Sequence, residues 1–198
     1  MTFPRITLAL ACLATPAPAG EAEVARLLAE NQCRDCDLSG AALAGADLRD
    51  AYATYAVFDG ADLRGADLSD AFLPFARFEG ADMTGLVFDR ANARDTVLTG
   101  AILRDASLRG TALPQATLRG ADLEGAVLAA AYMPNANLTE ARLAGADLTG
   151  ADLTGAVLGG ADLTDADLTG ATLRAAGLAG ARFCRTTMPD GTRRDEDC

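Results

Sequence analysis

The sequence predicts an all-β solenoid, square in section and preceded by one short capping helix, and three observations lead there. An apolar residue recurs at every fifth position, without a frame break, from Leu38 to Phe183. Alanine stands two places before that residue in 26 of 30 pentads, and 16 of the chain's 20 glycines stand two places after it. Half of the 198 residues are apolar but only 5% are aromatic, so the interior must be filled by many small repeated contacts. A period of five matches neither the 3.6 of a helix nor the 2 of a long strand, and a chain obeying it has to turn at every repeat.

Residues 1–19 read as a secretory signal peptide. Arg5 is followed by an apolar run from Ile6 to about Thr15, then by Ala17 and Ala19 ahead of Gly20, with cleavage expected after Ala19. The run is too short to cross a bilayer, which takes ~20 residues in a helix. A soluble periplasmic or secreted protein is expected. A lipid anchor would have to use Cys12, but Ala9-Leu10-Ala11 puts alanine where leucine is expected and would cut the apolar run very short. Residues 20–35 form the next unit. Glu21 to about Asn31 reads as an amphipathic helix, with Val24, Leu27 and Leu28 on one side and acidic residues in the first turn.

The repeats occupy residues 36–185. Their thirty central residues are 22 Leu, 4 Phe, 2 Met and 2 Ala, and none is polar. The preceding alanine is replaced only at Cys36, Leu86, Thr96 and Thr111. Four pentads make one square coil if each supplies a short side and a tight corner. Glycine after the centre then suits a corner that needs positive φ, as a type II turn does. The centre and the alanine point inward and stack on their equivalents in the coils above and below. With strand-like spacing of ~4.8 Å between coils, the rod is roughly 36 Å long.

The pentads ADLRG, ADLSD, ADLTG, ANLTE and ADLEG resemble the A(D/N)LXX unit of the pentapeptide-repeat family. The resemblance covers about three quarters of the chain, and it implies a right-handed quadrilateral β-helix with a Leu or Phe ladder inside. CRDCDLSGAALAGADL and FCRTTMPDGTRRDEDC are similar to the cysteine-bearing ends of exported members. Most of those members have no assigned activity, so the resemblance implies a fold and leaves function open.

Without Cys12 four cysteines remain, Cys33, Cys36, Cys184 and Cys198, an even number suited to an oxidising compartment. Two of their three possible pairings would join opposite ends of a rod roughly 36 Å long, whereas bonded Cα atoms lie within ~7 Å. The expected bonds are Cys33–Cys36 and Cys184–Cys198. The second closes the Pro189-Asp190-Gly191 turn, so that residues 186–198 cap the last coil. Cys33-x-x-Cys36 also fits a redox dithiol, but it follows a helix and enters a repeat instead of opening a helix in a βαβ unit. It is read as a structural cap. The same separation of the cysteine pairs excludes a four-thiolate zinc site, whose ligands lie ~2.3 Å from one ion.

Composition excludes several functions. There is no His and no Trp, and the net charge is −11. The usual general base and zinc ligand is absent, and the overall field repels a phosphate backbone. Ser39, Ser69 and Ser107 occupy repeat positions with no activating His or Lys, and a filled rod offers no cleft in which catalytic groups converge. No catalytic residue, cofactor, metal or small-molecule substrate is expected. Calcium is disfavoured because the aspartates form regular walls and no loop gathers six oxygens.

Residues twenty apart share a face of the rod. Asp62, Asp82, Asp122 and Asp162 run down one face, and Asp47, Asp67, Asp147 and Asp167 down the next. Some cytosolic family members use an acidic surface to mimic DNA and inhibit DNA gyrase, and that is the alternative functional reading. Arg49, Arg64, Arg104, Arg109, Arg119 and Arg142 interrupt the acidic field here, and an export signal would separate the chain from gyrase. A third face differs from the others. It carries Tyr52, Tyr55, Phe72, Phe75 and Tyr132 outward, with Pro74, Pro114 and Pro134 in one column. Tyr52, Tyr55, Phe72 and Phe75 fall on adjacent coils, and the face as a whole is the candidate surface for a protein partner or for self-association. The competing reading is a ladder that only stiffens the coils.

Overall fold

The computed structural model of the protein describes residues 20–198, and the signal-peptide reading, with Arg5 and Cys12, falls outside them. Helix α1 spans Glu21–Glu30 and buries Leu27. Glu21 and Glu23 sit in its first turn, where the helix dipole favours negative charge. Asn31 ends it in the left-handed conformation at φ 53°, its N–H bonded to the Leu27 carbonyl; asparagine tolerates this terminating geometry better than most residues.

Each pentad from Leu38 through Leu178 ends in a four-residue turn closed by one hydrogen bond. In the first, the Ala41 N–H donates to the Leu38 carbonyl at 3.0 Å, with Gly40 in third place at φ 66°. Residues twenty apart then pair in parallel, from Gln32 with Tyr52 through to Asp167 with Thr187. The bonds run both ways between coils: Leu38 N–H donates to the Val57 carbonyl at 2.7 Å, and Val57 N–H donates to the Cys36 carbonyl at 2.8 Å. Twenty residues and four turns per circuit make a four-sided coil. Its register reaches beyond residues 36–185, since Cys33 takes a central, inward place and Thr187 still pairs with Asp167.

The core is two interleaved stacks, the centres and the residues two before them, most with no solvent exposure. Ala53 and Ala93 leave space that neighbours fill. Phe58 and Phe78 stack at 4.8 Å in the adjoining side, and Leu86 and Phe88 bring bulk to the coil of Ala93. Total volume is held while individual sizes vary. The inward threonines satisfy their hydroxyls locally, Thr96 donating to the Ala93 carbonyl at 2.7 Å and Thr111 to the Phe88 carbonyl at 2.6 Å, which removes the penalty of a buried unpaired donor.

At the far end, strands β1 (Thr186–Thr187) and β2 (Arg193–Arg194) form a small antiparallel hairpin. Phe183 is buried beneath it with the Arg194 guanidinium 4.1 Å from the ring centre. The hairpin covers the last coil unevenly: Leu163 and Leu168 are sealed, whereas Leu173 and Leu178 remain partly open. Both disulfides are present, with Cα separations of 5.3 Å for Cys33–Cys36 and 4.8 Å for Cys184–Cys198.

Candidate interaction surface

The third residue of every turn is left-handed, and that requirement decides what the corners of the rod display. Sixteen corners are glycine, and six of the remaining fourteen are Asp or Asn, such as Asp50, Asp70 and Asn135. Two are aromatic. Tyr55 at φ 60° and Phe75 at φ 63° hold bulky side chains in a backbone region that L-residues rarely adopt. They are one coil apart, and their rings stack at 4.9 Å with an interplanar angle of 9°. Tyr52 and Phe72, paired residues of the adjoining ladder, stack at 4.7 Å. Arg94, paired to Asp95, places its guanidinium 5.7 Å from the Phe75 ring centre. Stacking covers ring faces and leaves edges and hydroxyls outward, so the face is an apolar ridge tipped by two phenols.

Four of the five aromatic residues singled out in the sequence therefore come together. Tyr132 does not join them. It lies in the same column as Tyr52 and Phe72, but Asn92 and Ala112 intervene, and it stands alone although it is half exposed. Phe72 is partly buried while Tyr52, Tyr55 and Phe75 remain 49%, 47% and 38% exposed. The proline column has a local cause. Pro74, Pro114 and Pro134 occupy the second place of their turns, where proline's fixed φ is favoured, and their carbonyls accept from Tyr55, Asp95 and Gln115.

The aspartate columns brace corners. The Asp67 carboxylate accepts from the backbone N–H of Ser69 at 2.9 Å and from its hydroxyl at 2.5 Å, and Asp82–Thr84, Asp147–Thr149 and Asp162–Thr164 repeat the motif. Where the residue two places on is arginine, the carboxylate binds its guanidinium in place of a hydroxyl. Arg49 holds Asp47, and Arg64 holds Asp62, each chiefly through a side-chain hydrogen bond, at about pKa 2. Other arginines tie one coil to the next, as in Arg90–Asp70, Arg104–Asp122 and Arg185–Asp165. The acidic field is broken at short intervals along its length.

Asp47 and Asp62 titrate lower in the folded chain than the usual carboxylate near 3.9, so between about pH 4 and pH 2 the unfolded chain binds more protons. Their stabilisation is complete above that window and is lost as pH falls through it. The urea midpoint of the D47N/D62N variant should change less between pH 5 and pH 2.5 than that of the parent. Equal acid sensitivity of the two proteins would show that these pairs contribute nothing.

The family model described as pentapeptide repeats matches the chain in eight copies, with matched residues 32–70, 61–100, 73–110, 101–139, 121–160 and 151–188. The chain belongs to the pentapeptide-repeat family. Similar solved structures include HetL, a pentapeptide repeat protein involved in heterocyst differentiation regulation in the cyanobacterium Nostoc sp. strain PCC 7120. It is 31% identical over 82% of this chain and 89% of that one, with a TM-score of 0.29. A pentapeptide repeat protein of the Arabidopsis thaliana thylakoid lumen is 28% identical over 56% of this chain and 67% of its own, with a TM-score of 0.38. QnrB1, a plasmid-mediated fluoroquinolone resistance protein, in a trypsin-treated form, is 22% identical over 73% of this chain and 80% of its own, with a TM-score of 0.45. No curated protein matches the chain.

Proposed function

We propose that the chain is an exported, non-enzymatic scaffold, a right-handed quadrilateral β-helix whose aromatic face binds a second protein or a second copy of itself. The observation that carries this reading is the pair Tyr55 and Phe75. Each left-handed aromatic corner costs roughly 1–2 kcal/mol relative to glycine, and one stacked pair returns about 0.5–1.5 kcal/mol. Arg90, Gln115, Ala130, Glu140, Ala175 and Arg185 bear the same backbone, and what sets Tyr55 and Phe75 apart is that their large rings stay exposed. An exposed ridge of aromatic edges and phenols, flanked by Arg94, has the composition of an interface anchor. Export is supported by residues 1–19 and by two disulfides, which persist in oxidising compartments. The DNA-mimic alternative needs a continuous acidic surface, and arginine pairs interrupt this one.

The test is the Y55S/F75S variant, with circular dichroism establishing that the rod still folds. Light scattering over a concentration series, and chemical cross-linking of the tagged protein in an envelope extract, should each show a complex for the parent that is absent from the variant. A parent that stays monomeric and captures nothing, or a variant that behaves identically, removes the proposal.

A further inference from the structure

We propose that Cys33–Cys36 is the more readily reduced of the two disulfides, and that Arg26 makes it so by stabilising the Cys36 thiolate. The Arg26 Nη2 contacts the Cys36 sulfur and lies 3.9 Å from that of Cys33. Arg26 has Glu23 and Glu30 within a turn on the same helix, yet among the described residues it forms no ion pair. Its positive charge is thus directed at sulfur. The other bond offers a contrast. Arg185 approaches the Cys184 sulfur through Nη1 at 3.5 Å, but its Nε and Nη2 are held by the Asp165 carboxylate, which offsets the charge.

A cation beside a sulfur favours the thiolate over the thiol, and stabilising the reduced state makes a disulfide easier to reduce. The sulfurs are buried, so attack requires α1 to lift. That opening is accessible because the helix contributes one fully buried side chain, Leu27. The thiolate of a reducing dithiol attacks the Cys33 sulfur, and Cys36 leaves as the thiolate, which Arg26 meets when α1 settles back. The reductant's second thiolate then attacks its own sulfur in the mixed disulfide and releases Cys33, which takes up a proton. Two electrons pass to the protein, and the dithiol ends as its own disulfide. The bond pins the turn between α1 and the first coil while oxidised, and the reduced pair is held by the contact between Arg26 and the Cys36 thiolate.

The experiment equilibrates the purified chain, both bonds formed, in buffers of graded reduced-to-oxidised dithiothreitol ratio. Acid quenching, alkylation and peptide mass mapping then give the reduced fraction of each bond. Cys33–Cys36 should reach half-reduction at a ratio at least tenfold below that for Cys184–Cys198. R26Q should raise the Cys33–Cys36 ratio about tenfold, equivalent to about 30 mV for a two-electron couple, and R26K should restore most of the difference. If Arg26 only packs the helix, R26Q loosens the cap and makes the bond easier to reduce, a shift of opposite sign. That result, an unmoved midpoint, or equal midpoints for the two bonds would overturn the proposal.

Discussion

Truncation of Leu128 to alanine is expected to lower the unfolding free energy by about 3 kcal/mol, within the range for emptying a leucine site in a rigid core. Leu128 has no solvent exposure and sits in mid-rod between Leu108 and Leu148, the equivalent residues one coil away on either side. No other element lies behind the ladder to close the hole, because each coil touches only its neighbours. A gap here weakens two interfaces and uncouples the halves of the rod, so the urea transition should broaden as well as move. Leu173→Ala is the internal comparison. Its site is already partly open, and the expected loss is under about 1 kcal/mol, since only part of its area leaves water on folding. Equal losses at the two sites would contradict the uneven sealing described for the C-terminal end.

Loss of the Cys184–Cys198 bond, through the paired change to serine, should cost about 3 kcal/mol, as expected for a closed loop of this length. The bond spans a sequence separation of 14 and ties Cys198 back to the coil, beyond the ladder bonds that hold the start of the hairpin. Phe183 N–H donates to the Asp197 carboxylate at 2.8 Å, and Thr186 donates its hydroxyl to the Leu163 carbonyl at 2.7 Å. The consequence is a local fraying that starts at one end, the mode to which a one-dimensional repeat is prone. Hydrogen exchange should quicken first at Leu163 and Leu168, whose N–H groups donate to Arg182 and Thr187, while mid-rod amides such as Leu128 change little. A uniform rise along the rod would point to global destabilisation instead.

Much of the fold is legible because its constraints recur within five residues. The inward stacks follow from alanine and leucine spacing. The corners follow from glycine at a place that must be left-handed, and the cysteine pairing from the length of the rod. The twenty-residue columns also bring Tyr52 to Phe72 and Tyr55 to Phe75, because stacking neighbours in a regular coil are set by register alone. The column does not unite Tyr132 with them: shared register is no guarantee of contact when Asn92 and Ala112 stand between. Glycine spacing marks the corners, and Tyr55 and Phe75 bear the same left-handed backbone without being glycine. The signal was their place in the period, the position that glycine usually fills.

By itself the sequence determined the coil, its core and its two covalent staples, since each depends on residue type at a fixed period. The tertiary structure alone decided which arginine meets which partner: Arg49 binds within its own pentad, Arg90 reaches the coil before, and Arg26 turns to a sulfur. It alone decided that the hairpin seals Leu168 and leaves Leu178 partly open. Those outcomes rest on the reach of long side chains and the path of a loop without a repeat, and a period of five constrains neither.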